Sequence, residues 1–375
     1  MPHFEITHQD PTSKARVGKL STNHGVIDTP VFMPVGTNAT VKGVRIDALE
    51  SMGCQIVLSN AYHLYLRPGV DLLKEMGGVR EFMGWKGALL TDSGGYQIFS
   101  LDKFRKIKEE GLDFKSHIDG SKHFLSPEDV VKNQYAMGVD IMMPLDECVP
   151  YPCEEKDARR ALDLTYRWLK RSKEAWLDLP TNRGHLFGIV QGSTWPALRA
   201  EGAQQFAELD LPGYSIGGLS VGEPQSLMMD MLDATVPHLP DDKPHYLMGV
   251  GYPDDVLLAI ERGVDMFDCV IPTRNGRNGS FFTLDGIMQI RNARFTQDQK
   301  PLDDDCICYA CQNLSRAYMR HLFQSKEMLG PELLSLHNLT FYIQLLTNIR
   351  FSIVNNSFQQ YKKEFLTRYG TDNNE

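Results

Sequence analysis

The 375-residue chain has no run of about 18 consecutive apolar residues, the length a membrane-crossing helix needs, so no membrane span is expected. Its first residues, MPHFEITHQD, lack a basic segment followed by an apolar stretch and do not read as a signal peptide. Internal repeats and low-complexity tracts are missing as well, which sets aside collagen-like, coiled-coil and disordered chains. An excess of basic residues is also absent. The formal net charge is −9, so the chain is not a general polyanion binder, and any nucleic-acid partner must be met by a local basic patch. Cysteine is sparse and odd in number, seven in all, with three falling inside six residues. That usage fits a reducing, cytoplasmic location in which the clustered thiols bind metal instead of forming disulfides. What remains is ordinary globular composition, 42 % hydrophobic and 23 % charged, at a length that can bury a full core.

The first thirty residues alternate in short extended stretches separated by Asp10-Pro11 and Asn23-His24-Gly25, which predicts an antiparallel meander over 1–30. Eight short apolar runs follow, at 31–35, 56–61, 88–95, 141–147, 185–192, 214–219, 245–251 and 266–272. Most are separated by segments of helical period. The clearest is 159–176, where Ala161, Leu164, Trp168 and Leu169 share one face and Arg and Lys take the other, read as solvated surface. Ser126-Pro127-Glu128-Asp129 and Pro253-Asp254-Asp255 carry helix-start chemistry. Eight strands alternating with helices predict an α/β chain folded as a (β/α)8 TIM barrel, since a doubly wound sheet fits fewer strands. The rhythm breaks near 291, so the expected division is a meander at 1–30, a barrel at 31–290 and 346–375, and a small zinc-binding subdomain at 291–345.

Cys306, Cys308 and Cys311 form C-x-C-x2-C. Three thiolates this close can converge on one tetrahedral ion, with His321 or His337 as the fourth ligand; spacing does not choose between them. Four protein ligands leave no coordination site for water or substrate, which makes the expected zinc structural.

In a barrel of this kind chemistry sits at the C-terminal strand ends. Those ends carry Asp92, Asp146, Gln191, Gly217-Gly218, Met248-Gly249 and Asp268. A single aspartate after a strand is often a helix cap, but three at one mouth repel each other unless a ligand uses them. Two carboxylates flanking an anomeric carbon are the apparatus of glycosyl transfer. An Asp with a Gln complements guanine, because the carboxylate accepts from N1–H and the exocyclic amine while the amide donates to O6. A backbone N–H at Gly217-Gly218 offers a second O6 donor, and Tyr96 offers a stacking face. The stretch Pro272 to Gly279, with Arg291 and Arg294 beyond it, reads as a flexible basic patch suited to phosphate or exposed bases.

Taken together, TDSGGYQ at 91–97, GIVQG at 188–192, GGLSVGE at 217–223, FDCVIPTRNGRNG at 267–279 and the C-x-C-x2-C…H set resemble the bacterial-type tRNA-guanine transglycosylases, or queuine tRNA-ribosyltransferases, over essentially the whole chain. The resemblance implies exchange of the wobble guanine of GUN-anticodon tRNAs (Asp, Asn, His, Tyr) for preQ1, 7-aminomethyl-7-deazaguanine, through a covalent intermediate. It implies Asp268 as nucleophile and Asp92 as general acid/base. The base-binding set it implies is Asp92, Ser93, Gly94, Gly95, Tyr96, Asp146, Gln191 and Gly218, with Cys148 and Val221 matching the preQ1-using pattern. RNA contacts fall on Gly249, Val250, Gly251, Tyr252, Pro253, Asp254 and Asp255, and on Thr273, Arg274, Asn275, Gly276 and Arg277. The resemblance also selects His337 over His321, giving one structural Zn2+ per subunit on Cys306, Cys308, Cys311 and His337, and it implies a cytoplasmic homodimer. Two other readings compete: a barrel acting on a phosphorylated metabolite, which leaves the three rim aspartates to repel phosphate, and a non-catalytic tRNA-binding subunit, against which the presence of both Asp92 and Asp268 speaks.

Overall fold

A computed structural model describes residues 3–101 and 105–370. The outermost parts of the expected meander (residues 1–2) and of the expected barrel segment (371–375) lie outside the described residues. Strands β1 (Phe4–Gln9), β2 (Arg16–Thr22) and β3 (Gly25–Thr29) form the expected antiparallel meander. Next come β4 (Val31–Pro34), β5 (Ile56–Ser59) and β6 (Ala88–Thr91). A small antiparallel sheet of β7 (Lys106–Ile107), β8 (Leu112–Lys115) and β9 (Lys122–Leu125) then intervenes. The strands β10 (Ile141–Met142), β11 (His185–Val190), β12 (Gly213–Ile216), β13 (His245–Leu247) and β14 (Met266–Cys269) complete an eight-stranded parallel sheet in the order β4-β14-β13-β12-β11-β10-β6-β5. The ring closes where Gly36 N–H donates to Leu58 O at 2.6 Å beside the parallel Val35–Leu58 bridge.

The barrel forms because each strand is apolar on both faces, as parallel strands sandwiched between a filled interior and a helical layer must be. Met33, Leu58, Leu90, Ile141, Phe187, Tyr246 and Met266 point inward into one cluster, while alternate residues such as Phe32, Val57, Leu89, Met142, Leu186 and Phe267 pack outward on the helices. The meander plugs the N-terminal end, sending Phe4, Leu20 and Ile27 into the interior cluster. Arg16 locks it there through two hydrogen bonds to buried Asp265, 2.9 and 2.7 Å, at the foot of β14. The opposite rim, at the C-terminal strand ends, is the one the meander leaves uncovered.

The helix expected at 159–176 runs from Glu155 to Leu177 and buries the expected face. Its basic face is not free surface, however: Arg159, Arg160, Arg167 and Arg171 pair with Glu201, Glu147, Glu109 and Glu128. The sheet β7–β9 was not anticipated; its turn at Asp119-Gly120, with Gly120 at φ +75°, is the local signal for it. After the barrel, β15 (Ser280–Thr283) and β16 (Gly286–Gln289) form a hairpin, and Phe281, Phe295, Leu302, Met319, Leu322 and Leu334 build a separate apolar cluster around the cysteines. The 26-residue helix Leu329–Val354 packs on both this cluster and the barrel. No helix among the described residues is long and apolar enough to cross a membrane.

Candidate functional site

The ring of strand ends brings Asn60 (after β5), Asp92 (after β6), Asp146 (beyond β10), Gln191 (after β11), Gly217-Gly218 (after β12), Gly249 (beyond β13) and Asp268 (in β14) to one mouth. Asp92 is buried, receiving Asn60 Nδ2 on Oδ2 at 2.5 Å and the Ala61 N–H on Oδ1 at 2.8 Å. Burial pushes its carboxyl up to about 6 and the charge of Asp268 adds to this, against the pull of Asn60, Ala61 and Gln97. The two aspartates thus sense each other across the mouth.

Asp268 is held by one oxygen. Its Oδ1 accepts from the Tyr246 hydroxyl at 2.6 Å and from the Gly249 N–H at 2.8 Å, whereas Oδ2 has no donor among the described residues. Burial raises its pKa and the two donors oppose the rise. Gly249 adopts φ +75°, a left-handed conformation that aims its N–H back at the carboxylate.

The neighbouring group suits a flat heterocycle. Asp146 accepts from Ser93 Oγ at 3.0 Å and from Gln191 Nε2 at 2.8 Å, and burial lifts its carboxyl to about 6. Ser93 Oγ also takes the Gly95 N–H at 3.1 Å, which ties the TDSGG turn to the Asp146 turn. Gly94, at φ +81°, lies against Tyr62, where a Cβ would stand 3.0 Å from the tyrosine Cβ and 3.2–3.3 Å from its backbone. Gln191 is 1 % exposed and lies beneath the Gly217-Gly218 turn; a Cβ on Gly218 would meet its Oε1 at 2.4 Å. Tyr96 stands 52 % exposed beside this floor. Cys148 is buried, its thiol pushed up to about 12 by burial and by Asp146, and Val221 is half-buried.

The two segments tied to RNA by resemblance differ from a uniform exposed surface. Within 249–255, Gly249 and Tyr252 are exposed and Asp254 and Asp255 half-buried, while Val250, Gly251 and Pro253 are buried. Gln225 Nε2 bridges Asp254 and Asp255 at 2.8 and 2.7 Å. The stretch read as a flexible basic patch is instead a helix, Ile271–Asn278, with Pro272 in its first turn and Gly279 as a left-handed cap at φ +88°. Packing overrides the poor helix propensity of its glycines: a Cβ on Gly276 would lie 2.6 Å from Ser335 N, so glycine lets this helix press onto Leu329–Val354. Arg274 remains exposed and Arg277 and Asn275 half-buried, while Thr273 and Gly276 are buried.

Cys306, Cys308, Cys311 and His337 are all buried and present donor atoms within 4.8 Å of one another. His337 Nδ1 lies 3.5 Å from Cys308 Sγ and 3.3 Å from Cys311 Sγ. Zinc with Zn–S of about 2.3 Å and Zn–N of about 2.0 Å has tetrahedral edges of about 3.5 Å, so the donor set fits. His337 Nε2 donates to Phe282 O at 2.8 Å, fixing the tautomer that leaves Nδ1 for metal. His321 is exposed beside Tyr318 and takes no part. With four protein ligands the group fits a structural zinc site. Its neighbour Asn338 donates to Pro272 O at 2.9 Å and accepts from Phe282 N–H at 3.0 Å, so the metal cluster and the 271–278 helix share one support.

Three participants were not singled out from sequence. Asn60 is next to last in the run 56–61 and directly follows β5, so the strand-end rule could have found it. Arg160, which grips Glu147 beside Asp146 at 2.9 and 2.7 Å, sits on the helix face that reads as solvated surface in the sequence. Tyr246 left no signal, because an inward aromatic in a buried strand reads as core.

A family model described as Queuine tRNA-ribosyltransferase matches residues 10–371. A queuine tRNA-ribosyltransferase of Symbiobacterium thermophilum is 54 % identical over 366 residues, covering 98 % of this chain and 91 % of the relative. That of Caldanaerobacter subterraneus subsp. tengcongensis is 52 % identical over 366 residues, covering 98 % and 97 %. That of Desulforudis audaxviator is 52 % identical over 363 residues, covering 97 % of each chain. With its barrel, its rim of carboxylates and a match along nearly its full length, the chain belongs to the queuine tRNA-ribosyltransferase family.

Proposed function

We propose that this enzyme is a tRNA-guanine transglycosylase that exchanges the wobble guanine of GUN-anticodon tRNAs for preQ1 by double displacement. The observation that carries the reading is the opposition of Asp268, with one unshared oxygen, and Asp92, its carboxyl raised by burial and by Asp268, beside the Asp146–Gln191–Ser93 group. Asp268 Oδ2 attacks C1′ of the ribose, the C1′–N9 bond breaks, and its electron pair leaves with guanine, which takes a proton from Asp92. Donors at the Gly217-Gly218 turn and Gln191 meet the charge that develops on the base. The incoming 7-deazaguanine then attacks C1′, displacing Asp268 and passing its ring proton to Asp92. Two inversions give net retention, and one glycosidic bond replaces another without an energy source. Asp146 accepts from the N1–H and 2-amine of either base, so a common pocket serves both partners of the exchange. Cys148 and Val221 support preQ1 over a bulkier 7-substituent. Arg274 and Arg277, on the 271–278 helix, supply cationic groups for the anticodon loop in a chain of net charge −9.

The test is incubation of a GUN-anticodon tRNA with labelled guanine, followed by chase with preQ1. Label entering intact tRNA, and leaving with preQ1, is the expected result; failure to incorporate label overturns the reading. In denaturing gels wild-type protein should carry a tRNA adduct that Asp268→Asn lacks. An equal adduct in that variant removes Asp268 from the nucleophile's role.

A further inference from the structure

Arg199 is a cation the exchange chemistry above does not use. It lies in the first turn of the helix Pro196–Ala207 and is 0 % exposed. Its guanidinium reaches back under the rim: Nε donates to Ser193 O at 2.7 Å, and Nη1 to Val190 O at 3.1 Å and Gly217 O at 2.8 Å. Those carbonyls belong to the two turns that carry Gln191 and Gly218. No carboxylate forms an ion pair with Arg199 among the described residues, and burial draws its pKa down to about 10, leaving it charged at neutral pH. A bare buried cation is costly unless its field or its donors serve a purpose.

Two atoms beside Gly218 suggest that purpose. Arg199 Nη2 and Gln191 Oε1 are both buried without a hydrogen-bond partner, a donor and an acceptor. They flank the place a Cβ on Gly218 would occupy, at 3.6 and 2.4 Å from it; they are not bonded directly, and one water can bridge them. The opposite end of the same amide, Nε2, donates to Asp146. We infer that Arg199 is a positioning residue that sets the polarity of the Gln191 amide, drawing its oxygen toward the guanidinium and turning its N–H groups toward Asp146 and the base. The inference rests on the proposed base exchange and names what makes the site demand a 6-oxopurine. A purine 6-oxygen accepts from an outward N–H, whereas a 6-amino group needs an outward carbonyl. An amide free to rotate offers either; one anchored by a cation offers only the donor.

The experiment compares wild type, Arg199→Met and Arg199→Lys in exchange of guanine and of 2,6-diaminopurine into tRNA. Arg199→Met should raise KM for guanine roughly 10-fold and cut the preference for guanine over 2,6-diaminopurine by at least about 10-fold, with KM for tRNA within about twofold. Lysine keeps the charge but not the fork, so Arg199→Lys should reduce the preference by only about threefold. Lysine is the variant read if the methionine protein does not fold. A folded variant that loses kcat alone, with the base preference unchanged, overturns the inference and assigns Arg199 a purely structural role. A wild type that exchanges no guanine overturns the base-exchange reading itself, and this inference with it.

Discussion

Tyr246 donates to Asp268 from inside the barrel, 2.6 Å from hydroxyl to Oδ1, so the carboxylate at the mouth is set by a side chain belonging to the core. A donor stabilises the ionised carboxylate and lowers its pKa. In Tyr246→Phe the ring still fills the interior while Asp268 keeps only the Gly249 N–H. We expect the acidic limb of kcat/KM for tRNA to move to higher pH. A hydrogen bond to a charged group is worth about 1.5–3 kcal/mol, so activity at neutral pH should fall roughly 10- to 100-fold. Rate–pH profiles of the two proteins check this; an unmoved limb detaches Tyr246 from the titration of Asp268.

The carboxylates of the mouth burden the fold at neutral pH. Asp92, buried with its carboxyl raised to about 6, binds a proton in the native state that the unfolded chain has released between about pH 4 and 6. The native state holds more protons in that window, so stability is fullest below it and declines as pH rises through about 6. Asp146 and Asp268 shift in the same direction. Asp92→Asn removes one such group. Relative to wild type it should gain on the order of 2 kcal/mol between pH 4 and pH 8 in urea unfolding, whatever its offset at pH 4. A wild type–variant difference independent of pH contradicts a raised Asp92.

Gly218 tests the pocket floor by shape alone. It sits at φ +68°, and a Cβ there would press on Gln191 Oε1 at 2.4 Å. Gly218→Ala adds both backbone strain, about 1–3 kcal/mol, and a collision that pushes the amide off Asp146. KM for guanine should rise by at least about 10-fold while binding of tRNA to the protein, measured by filter retention, holds.

Much of this site was legible because parallel strands end where the pattern turns from apolar to polar: Asp92, Asp146, Gln191 and Gly218 lie past the end of a strand, and Asp268 is next to last in β14. The cysteine triad was legible because its spacing permits little else. His337 was not chosen by spacing: it lies inside the apolar stretch SLHNLTFY, and only the packing of one long helix brings its Nδ1 to the thiols. The 271–278 helix reads as a flexible basic patch in the sequence because RNGRNG carries local turn chemistry, and the close seat on Ser335 that makes it helical is tertiary. Arg199 looks like any arginine on a surface helix; its burial depends on where the rim turns bring their carbonyls.

Removal of the metal should be felt at the 271–278 helix before the base pocket. His337 and Asn338 are adjacent in one helix, the first in the thiolate cluster and the second bonded to Pro272 at the start of the 271–278 helix. Cys311→Ser should lose bound zinc by elemental analysis. It should also lower Tm by roughly 5–10 °C, corresponding to a few kcal/mol at this size. Affinity for tRNA should fall more than affinity for guanine. Equal losses in both would uncouple the metal from the helix it is held to support.

Arg274 gives the sharpest test of that helix as an RNA contact. It is exposed, and no hydrogen bond or ion pair ties its side chain to the described residues, so its loss should leave the fold intact. An arginine that neutralises one phosphate releases one counterion, which reduces the slope of log affinity against log salt by about 0.7 for single-stranded RNA when that arginine is removed. Arg274→Ala should therefore weaken tRNA binding most at low salt and converge on wild type as salt rises, with kcat at saturating tRNA unchanged. A loss of affinity that does not vary with salt would mean Arg274 reads a base instead; no loss at all would move the RNA path off this helix.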